Sequence, residues 1–279
     1  MTKKLLYELL INDKIQSLQN DINWYELLTL SITEKVEGYL YKYLLDNVFL
    51  ENIPKQVRKI LYISYKYNQE KNKLYLKEFQ NLQELLSKNK ILIFPYKGIF
   101  LITEVYKDYG IRYMEDIDIL TFETDYRVLK ALLETYHYKL TLINDKDLAY
   151  YNVGETINSC LFLKKNSEMD LVPFIKLDIS SIFASFNTYE STTYFNGDNL
   201  LPEYVFVLIC KSFFDDACEK SQSPGPENCT LIKLIDIISF INKYPKQVKY
   251  VLEYSDFSET KFIIFTRNCI NYFCKGVLL

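Results

Sequence analysis

Histidine occurs once in the chain, at His137, and none of the six cysteines (Cys160, Cys210, Cys218, Cys229, Cys269 and Cys274) forms a Cys-x-x-Cys pair. The usual ligand sets of a structural zinc site are therefore missing. Several cysteines lie in apolar runs, the setting of buried free thiols, which fits a reducing compartment. No run of 18 apolar residues exists, so no membrane-spanning helix is expected. The first apolar patch is broken by Glu8 and stopped by Asp13, too short for a signal peptide, and a cytoplasmic location is the expectation. An excess of positive charge is lacking as well: the net charge is −3. That excludes a broad nucleic-acid-binding face, while a few local cations still suffice to hold a triphosphate. Linker-like composition is almost absent, residues 221–229 being the one Pro/Gly/Ser-rich break, and there is no internal repeat.

What remains is a chain of ordinary globular composition, 49% apolar and 25% charged over 279 residues, enough to bury a core in one or two domains. Apolar residues recur at three- and four-residue steps through 24–48, predicting a helix that opens after Asn23. A second long helix is expected over 54–89. It carries Lys55, Arg58, Lys59, Lys66, Lys71, Lys73 and Lys77, but Glu70, Glu78 and Glu84 interrupt the charge, so it reads as a solvated face. From residue 90 the pattern shortens: a strand at 91–94, a short helix at 99–107, a turn at 108–110 and a strand at 114–122. A helix over 125–137 and a strand over 138–143 follow. Residues 159–164 read as the first strand of a hairpin turning at Lys165-Asn166-Ser167, with a second strand at 168–172 and helix over 177–190. From Pro202 onward the periodicity is helical again. The layout is α+β: a small mixed sheet core at 90–198, between helical regions at 1–89 and 199–279.

The chemistry concentrates in 96–121. Strand side chains alternate, so Asp116 and Asp118 share one face while Ile117 and Ile119 point to a core. Their Cα atoms would lie roughly 6.5–7 Å apart. Aspartate is a poor strand former, and two like charges at one end of a buried strand require a compensating cation. Lys97-Gly98 ends the preceding strand, where a glycine lets backbone N–H groups approach a phosphate. Asp170, alternating with Met169 and Leu171, could supply a third carboxylate, as could Asp178. Three carboxylates would suit the paired Mg²⁺ ions of phosphoryl and nucleotidyl transfer.

The block KGIFLITEVYKDYGIRYMEDIDIL resembles the nucleotide-binding motif of the DNA polymerase β-like nucleotidyltransferase superfamily, and within it a bacterial group of uncharacterised nucleotidyltransferases. That group shows Lys-Gly, a helix, an acidic or proline turn, an arginine, then Met-x-Asp-x-Asp. Here these are Lys97-Gly98, Asp108-Tyr109-Gly110, Arg112, Met114, Asp116 and Asp118. The N-terminal helix and the segments LLPEYVFVLICKSFF and LIKLIDIISFI, the latter carrying Asp236, resemble the same group. The resemblance implies an enzyme that transfers a nucleoside monophosphate, AMP from ATP by default, to a hydroxyl of a small molecule and releases pyrophosphate. It also implies that Asp116, Asp118 and Asp170 hold Mg²⁺ and that Lys97, Gly98 and Arg112 contact the nucleotide. Arg112 could instead anchor the turn. Asp236 is expected either to pair with a base such as Lys211 or to face substrate. The wider superfamily has serine after the glycine; this chain has Ile99, which leaves open a nucleotide- or partner-binding protein without chemistry. The basic helix leaves open a transferase that modifies RNA or protein.

Overall fold

The structure is a computed structural model, and it describes residues 6, 7, 10, 22–122, 126–141, 159–166, 172–181, 195, 196 and 199–273. Contacts divide the chain into two compact units. A helical unit collects residues 1–70, 101–113 and 202–279; a sheet unit collects 71–100 and 114–201.

The helical unit begins with α1 (Trp24–Thr33) and α2 (Glu37–Asp46). Asn23 caps α1, its side chain accepting from the Glu26 N–H at 3.2 Å. The single amphipathic helix expected over 24–48 is broken in two. Lys35 turns left-handed, φ 59°, and the Val36 N–H returns to the Ser31 carbonyl at 2.8 Å, closing α1. The break brings Gly38 against the backbone of the 108–112 turn: a Cβ there would stand 2.3 Å from the Gly110 carbonyl oxygen. Gly110 in turn lies under the Tyr65 ring, whose nearest carbon would be 2.4 Å from an added Cβ. Only glycine permits either approach.

The long helix α3 (Lys55–Lys88) runs close to its expected span, with its first half in the helical unit and its second in the sheet unit. Most of its lysines are solvated, as its interrupted charge suggests; Lys71 is the exception, 5% exposed, with its ammonium 5.3 Å from the Tyr75 ring centre. The helical unit is completed by α6 (Pro202–Lys220), α7 (Leu231–Lys243), α8 (Pro245–Glu253) and α9 (Lys261–Phe273), the labels α4 and α5 being used below. Aromatic pairs fill its core, with Phe206 against Phe240 at 5.5 Å and Phe213 against Phe265 at 5.2 Å. Among the described residues no helix is long and apolar enough to cross a membrane.

The sheet unit contains β1 (Ile93–Pro95), a three-residue helix α4 (Gly98–Phe100), β2 (Ile117–Thr121), α5 (Tyr126–Thr135), β3 (Tyr138–Thr141), β4 (Ser159–Lys165) and β5 (Phe174–Ser181). A small hairpin, β6 (Phe195–Asn196) and β7 (Asn199–Leu200), follows. The five-stranded sheet has the order β1-β2-β5-β4-β3. Only β2 and β5 run parallel, so the sheet is mixed, in agreement with the α+β expectation. One face carries Ile117, Ile119, Phe162, Leu177 and Ile179, all completely buried. Tyr138 and Lys164 share that face and both reach Glu78 of α3, at 2.8 and 2.7 Å, so the second half of α3 covers it.

The hairpin expected after residue 159 is present. Of the second strand expected at 168–172, residues 168–171 lie outside the described residues; the strand that pairs with β4 is Phe174–Ser181, and the Asn166 N–H bonds the Pro173 carbonyl at 2.9 Å. The helix expected from 177 is overturned for 177–181, which are strand. The reason is visible in the alternation: Ile175, Leu177 and Ile179 are buried, whereas Phe174 and Lys176 are exposed.

Candidate active site

Three carboxylates meet on the second face of the sheet. Tyr75 fixes the approach to β2 by donating its hydroxyl to the Glu115 carbonyl at 3.0 Å. Asp116 follows, just ahead of the strand, and Asp118 lies within it, 5% exposed. Parallel pairing then sets Asp178 of β5 directly beside Asp118. Leu161 of β4 borders Asp178 on its other side. Tyr96 directly follows the neighbouring strand β1; its N–H reaches the Asp118 carbonyl at 3.4 Å and its hydroxyl lies 3.4 Å from Ser180 Oγ of β5.

Lys97 is the cation bonded to these carboxylates. Its backbone is left-handed, φ 49°, a conformation that costs a non-glycine residue about 1 kcal/mol. Lys97 Nζ donates to Asp118 Oδ1 at 2.7 Å and lies 4.8 Å from the centre of the Tyr96 ring. Gly98 then starts α4. A Cβ at Gly98 would press on the Met114 side chain at 3.1 Å, so the glycine lets Met114 close the floor under the Lys-Gly turn. Ile99 is 1% exposed, and its side chain belongs to the core.

The electrostatics show a site with more negative charge than it can hold. Burial raises the Asp116 carboxyl to about 6, assisted by the charge of Asp118 and opposed by Lys97. Burial likewise raises Asp178 to about 6, again with Asp118 adding to the effect. At Lys97, burial works against the charge, but Asp118, Tyr96 and Asp178 outweigh it and the net shift is upward. Burial pushes the Tyr96 phenol to about 12. One lysine thus faces three carboxylates, all hard oxygen donors, and this donor set suits a hard divalent cation. Among the described residues no three His, Cys, Asp or Glu side chains stand around one point as a finished metal cage; Asp118 is instead engaged by Lys97.

The chain matches the family model described as uncharacterised nucleotidyltransferase over residues 20–253. It belongs to that family. The protein is accordingly a nucleotidyltransferase, and an NTP is its substrate in the general sense. A search of curated proteins gave no match.

For this nucleotidyltransferase the expected site residues distribute as follows. Lys97, Gly98, Asp116 and Asp118 lie together in the sheet unit. Asp170 lies outside the described residues. Arg112 belongs to the helical unit, where its guanidinium is engaged: Nε and Nη2 grip both oxygens of Asp236 at 3.0–3.1 Å, and Nη1 donates to the Tyr113 carbonyl at 3.1 Å. Tyr106 donates a further bond to Asp236 at 2.7 Å. Asp236 thus pairs with a base inside the helical unit, as one reading expected, and the base is Arg112, not Lys211. Tyr96 was not foreseen. Nothing distinguishes it from the chain's 25 tyrosines except its place before Lys-Gly.

Proposed function

We propose that this nucleotidyltransferase moves a nucleoside monophosphate, AMP from ATP by default, onto a hydroxyl of a small molecule with Mg²⁺ as cofactor. The observation that carries the reading is the register placing Asp118 beside Asp178, with Asp116 next to them and Lys97 bonded to Asp118 at 2.7 Å. Asp116, Asp118 and Asp178 would hold Mg²⁺, whose bound charge neutralises the carboxylates and polarises the α-phosphate. Asp178 takes the role of third carboxylate in this reading because its backbone is paired to that of Asp118.

The work of the protein's own groups follows. Lys97 would present its ammonium to the triphosphate, and Gly98 would leave its backbone open to the same phosphates. Asp178 would accept the proton of the acceptor hydroxyl. The acceptor oxygen forms a bond to the α-phosphorus, the bond from that phosphorus to the bridging oxygen breaks, and pyrophosphate leaves with the electron pair. Ile99, buried at 1% exposure, stands where the wider superfamily has serine, so in this reading no hydroxyl is offered to the phosphates at that position.

The test is calorimetric titration of α,β-methylene-ATP with and without Mg²⁺, paired with transfer of α-phosphate label from ATP to a panel of hydroxyl compounds. Magnesium-dependent binding that disappears in Asp116→Asn/Asp118→Asn, with the fold retained by circular dichroism, supports the reading. Wild-type protein that neither binds the analogue nor turns over ATP sinks it.

A further inference from the structure

We infer that Lys139 and Lys176, on the sheet face that carries the three carboxylates, form an anion site for the phosphate monoester of a small hydroxyl compound. That this compound is the acceptor rests on the transfer reading above. Both lysines belong to the sheet unit, and both are exposed.

Register puts them there. Residues two apart on a strand share a face, so Lys176 and Phe174 of β5 lie on the face of Asp178. Leu163 of β4 pairs with Lys176, and Lys139 of β3 pairs with Leu163. The row Lys176, Leu163, Lys139 therefore runs beside the row Asp118, Asp178, Leu161, Thr141, offset along the strands by roughly 6.5–7 Å. The two lysine Cα atoms stand about 9–10 Å apart, two strand spacings, with a leucine between them. Their flexible four-carbon stems let both ammonium groups meet one anion over that leucine. Lys165, opposite Phe174, adds an exposed cation one row further on.

A solvated sheet face ordinarily mixes both signs of charge. Here the strand positions beyond Asp178 on this face hold Lys139, Lys165 and Lys176 and no acid, in a chain of net charge −3. Lysine on an edge strand blunts strand addition, which accounts for Lys139 on β3. It does not account for Lys176, because β5 is the middle strand and is paired on both sides. Nor does Lys176 serve the carboxylates: the cation that opposes Asp116 and Asp178 is Lys97. Position then separates two anions. Lys97-Gly98 lies on the β1 side of Asp118, whereas Lys139 and Lys176 lie from β5 outward, on the side away from the triphosphate. A hydroxyl presented to Asp178 thus has the lysines about one small sugar away. A phosphate monoester, with a charge of about −1.5 to −2 and three acceptor oxygens, matches two ammonium groups.

The experiment is saturation-transfer-difference NMR on the full chain with two probe pairs, glycerol 3-phosphate against glycerol and ribose 5-phosphate against ribose. Nucleotide and Mg²⁺ are left out. Binding of at least one phosphorylated probe is expected, without binding of its neutral partner, and inorganic phosphate should displace it. In Lys139→Gln/Lys176→Gln the affinity should fall about tenfold, and Lys139→Arg/Lys176→Arg should retain it. Lys59→Gln, at an exposed lysine of α3, should leave it unchanged. Absence of binding by both phosphorylated probes overturns the inference, as does equal binding of the neutral partners or a glutamine variant that binds like wild type. Binding confined to a short 5′-phosphorylated RNA run alongside, and sensitive to the same lysines, overturns the small-molecule class. Failure of the transfer reading shows elsewhere, as absent binding of α,β-methylene-ATP; lysine-dependent phosphate binding supports the anion site in that event as well. Label moved from ATP to glycerol and ribose, but to neither phosphorylated partner, overturns the assignment of the anion to the acceptor.

Discussion

Removing the charge of Asp178 should make the protein more stable while removing its chemistry. The Asp178 carboxyl has an ordinary value of 3.8 and titrates near 6 in the folded chain, raised by burial and by Asp118. Well below pH 3.8 it is protonated in both folded and unfolded states, and the raised value costs nothing. As pH rises from about 4 to 6 the unfolded chain ionises freely and the folded chain resists, so folding loses free energy across this window. Above pH 6 the loss is complete at ~3 kcal/mol, the equivalent of the gap between 3.8 and about 6. Asp178→Asn has no such window. Urea unfolding of both proteins in chelator at pH 3, 5, 6 and 7 should therefore show equal stability at pH 3 and a growing advantage for the variant, reaching about 2–3 kcal/mol at pH 7. Millimolar Mg²⁺ at pH 7 should then raise the wild-type midpoint and leave the variant's unchanged. A pH-independent difference between the two proteins, or a variant less stable at pH 7, would refute the reasoning.

Other substitutions separate scaffold from site. Asp236→Ala leaves the guanidinium of Arg112 buried without its partner and should destabilise by about 3–5 kcal/mol in urea unfolding, whereas Asp236→Leu/Arg112→Leu should recover much of that loss. Gly110→Ala drives a methyl into the Tyr65 ring and Gly38→Ala drives one into the Gly110 carbonyl; each should lower the melting temperature, with ΔΔG of about 1–3 kcal/mol. Glu78→Ala strips the shared acceptor from Tyr138 and Lys164, an expected loss of about 1–3 kcal/mol, measurable by the same unfolding assay.

The legible part of the site was local. Asp118 lies in a strand and Lys97-Gly98 follows one, as the pattern predicts, whereas Asp116, expected inside the 114–122 strand, stands just ahead of β2. Asp178 was open as an alternative but was set in a helical segment, although Ile175, Leu177 and Ile179 alternate as strictly as β2 does. Residues 168–171 of the expected partner strand lie outside the described residues, and it is the register of β5 that decides which acid meets Asp118. The partner of Arg112 was not legible. Its phosphate-contact and anchoring readings differ only in what lies opposite, and Asp236 is brought there by packing between segments remote in sequence. Lys35 shows the same limit on a smaller scale: the apolar period runs through it unbroken, and the chain turns there because Gly38 must reach the 108–112 turn.

The composition of the helical unit has a consequence for synthesis. Its first segment ends at Glu70, and its last begins at Pro202. The ribosome therefore delivers α1 and α2 long before the helices that complete their unit. Glu34, at the end of α1, accepts the Leu231 N–H at the start of α7 at 2.8 Å, and Tyr106 finds Asp236 only when α7 exists. During that interval the sheet unit's own segments are already emerging and can pair. The order of settling thus departs from the order of synthesis: the middle of the chain can settle first, and the N-terminal helices wait, with their apolar faces in need of protection, for the segment that begins at Pro202.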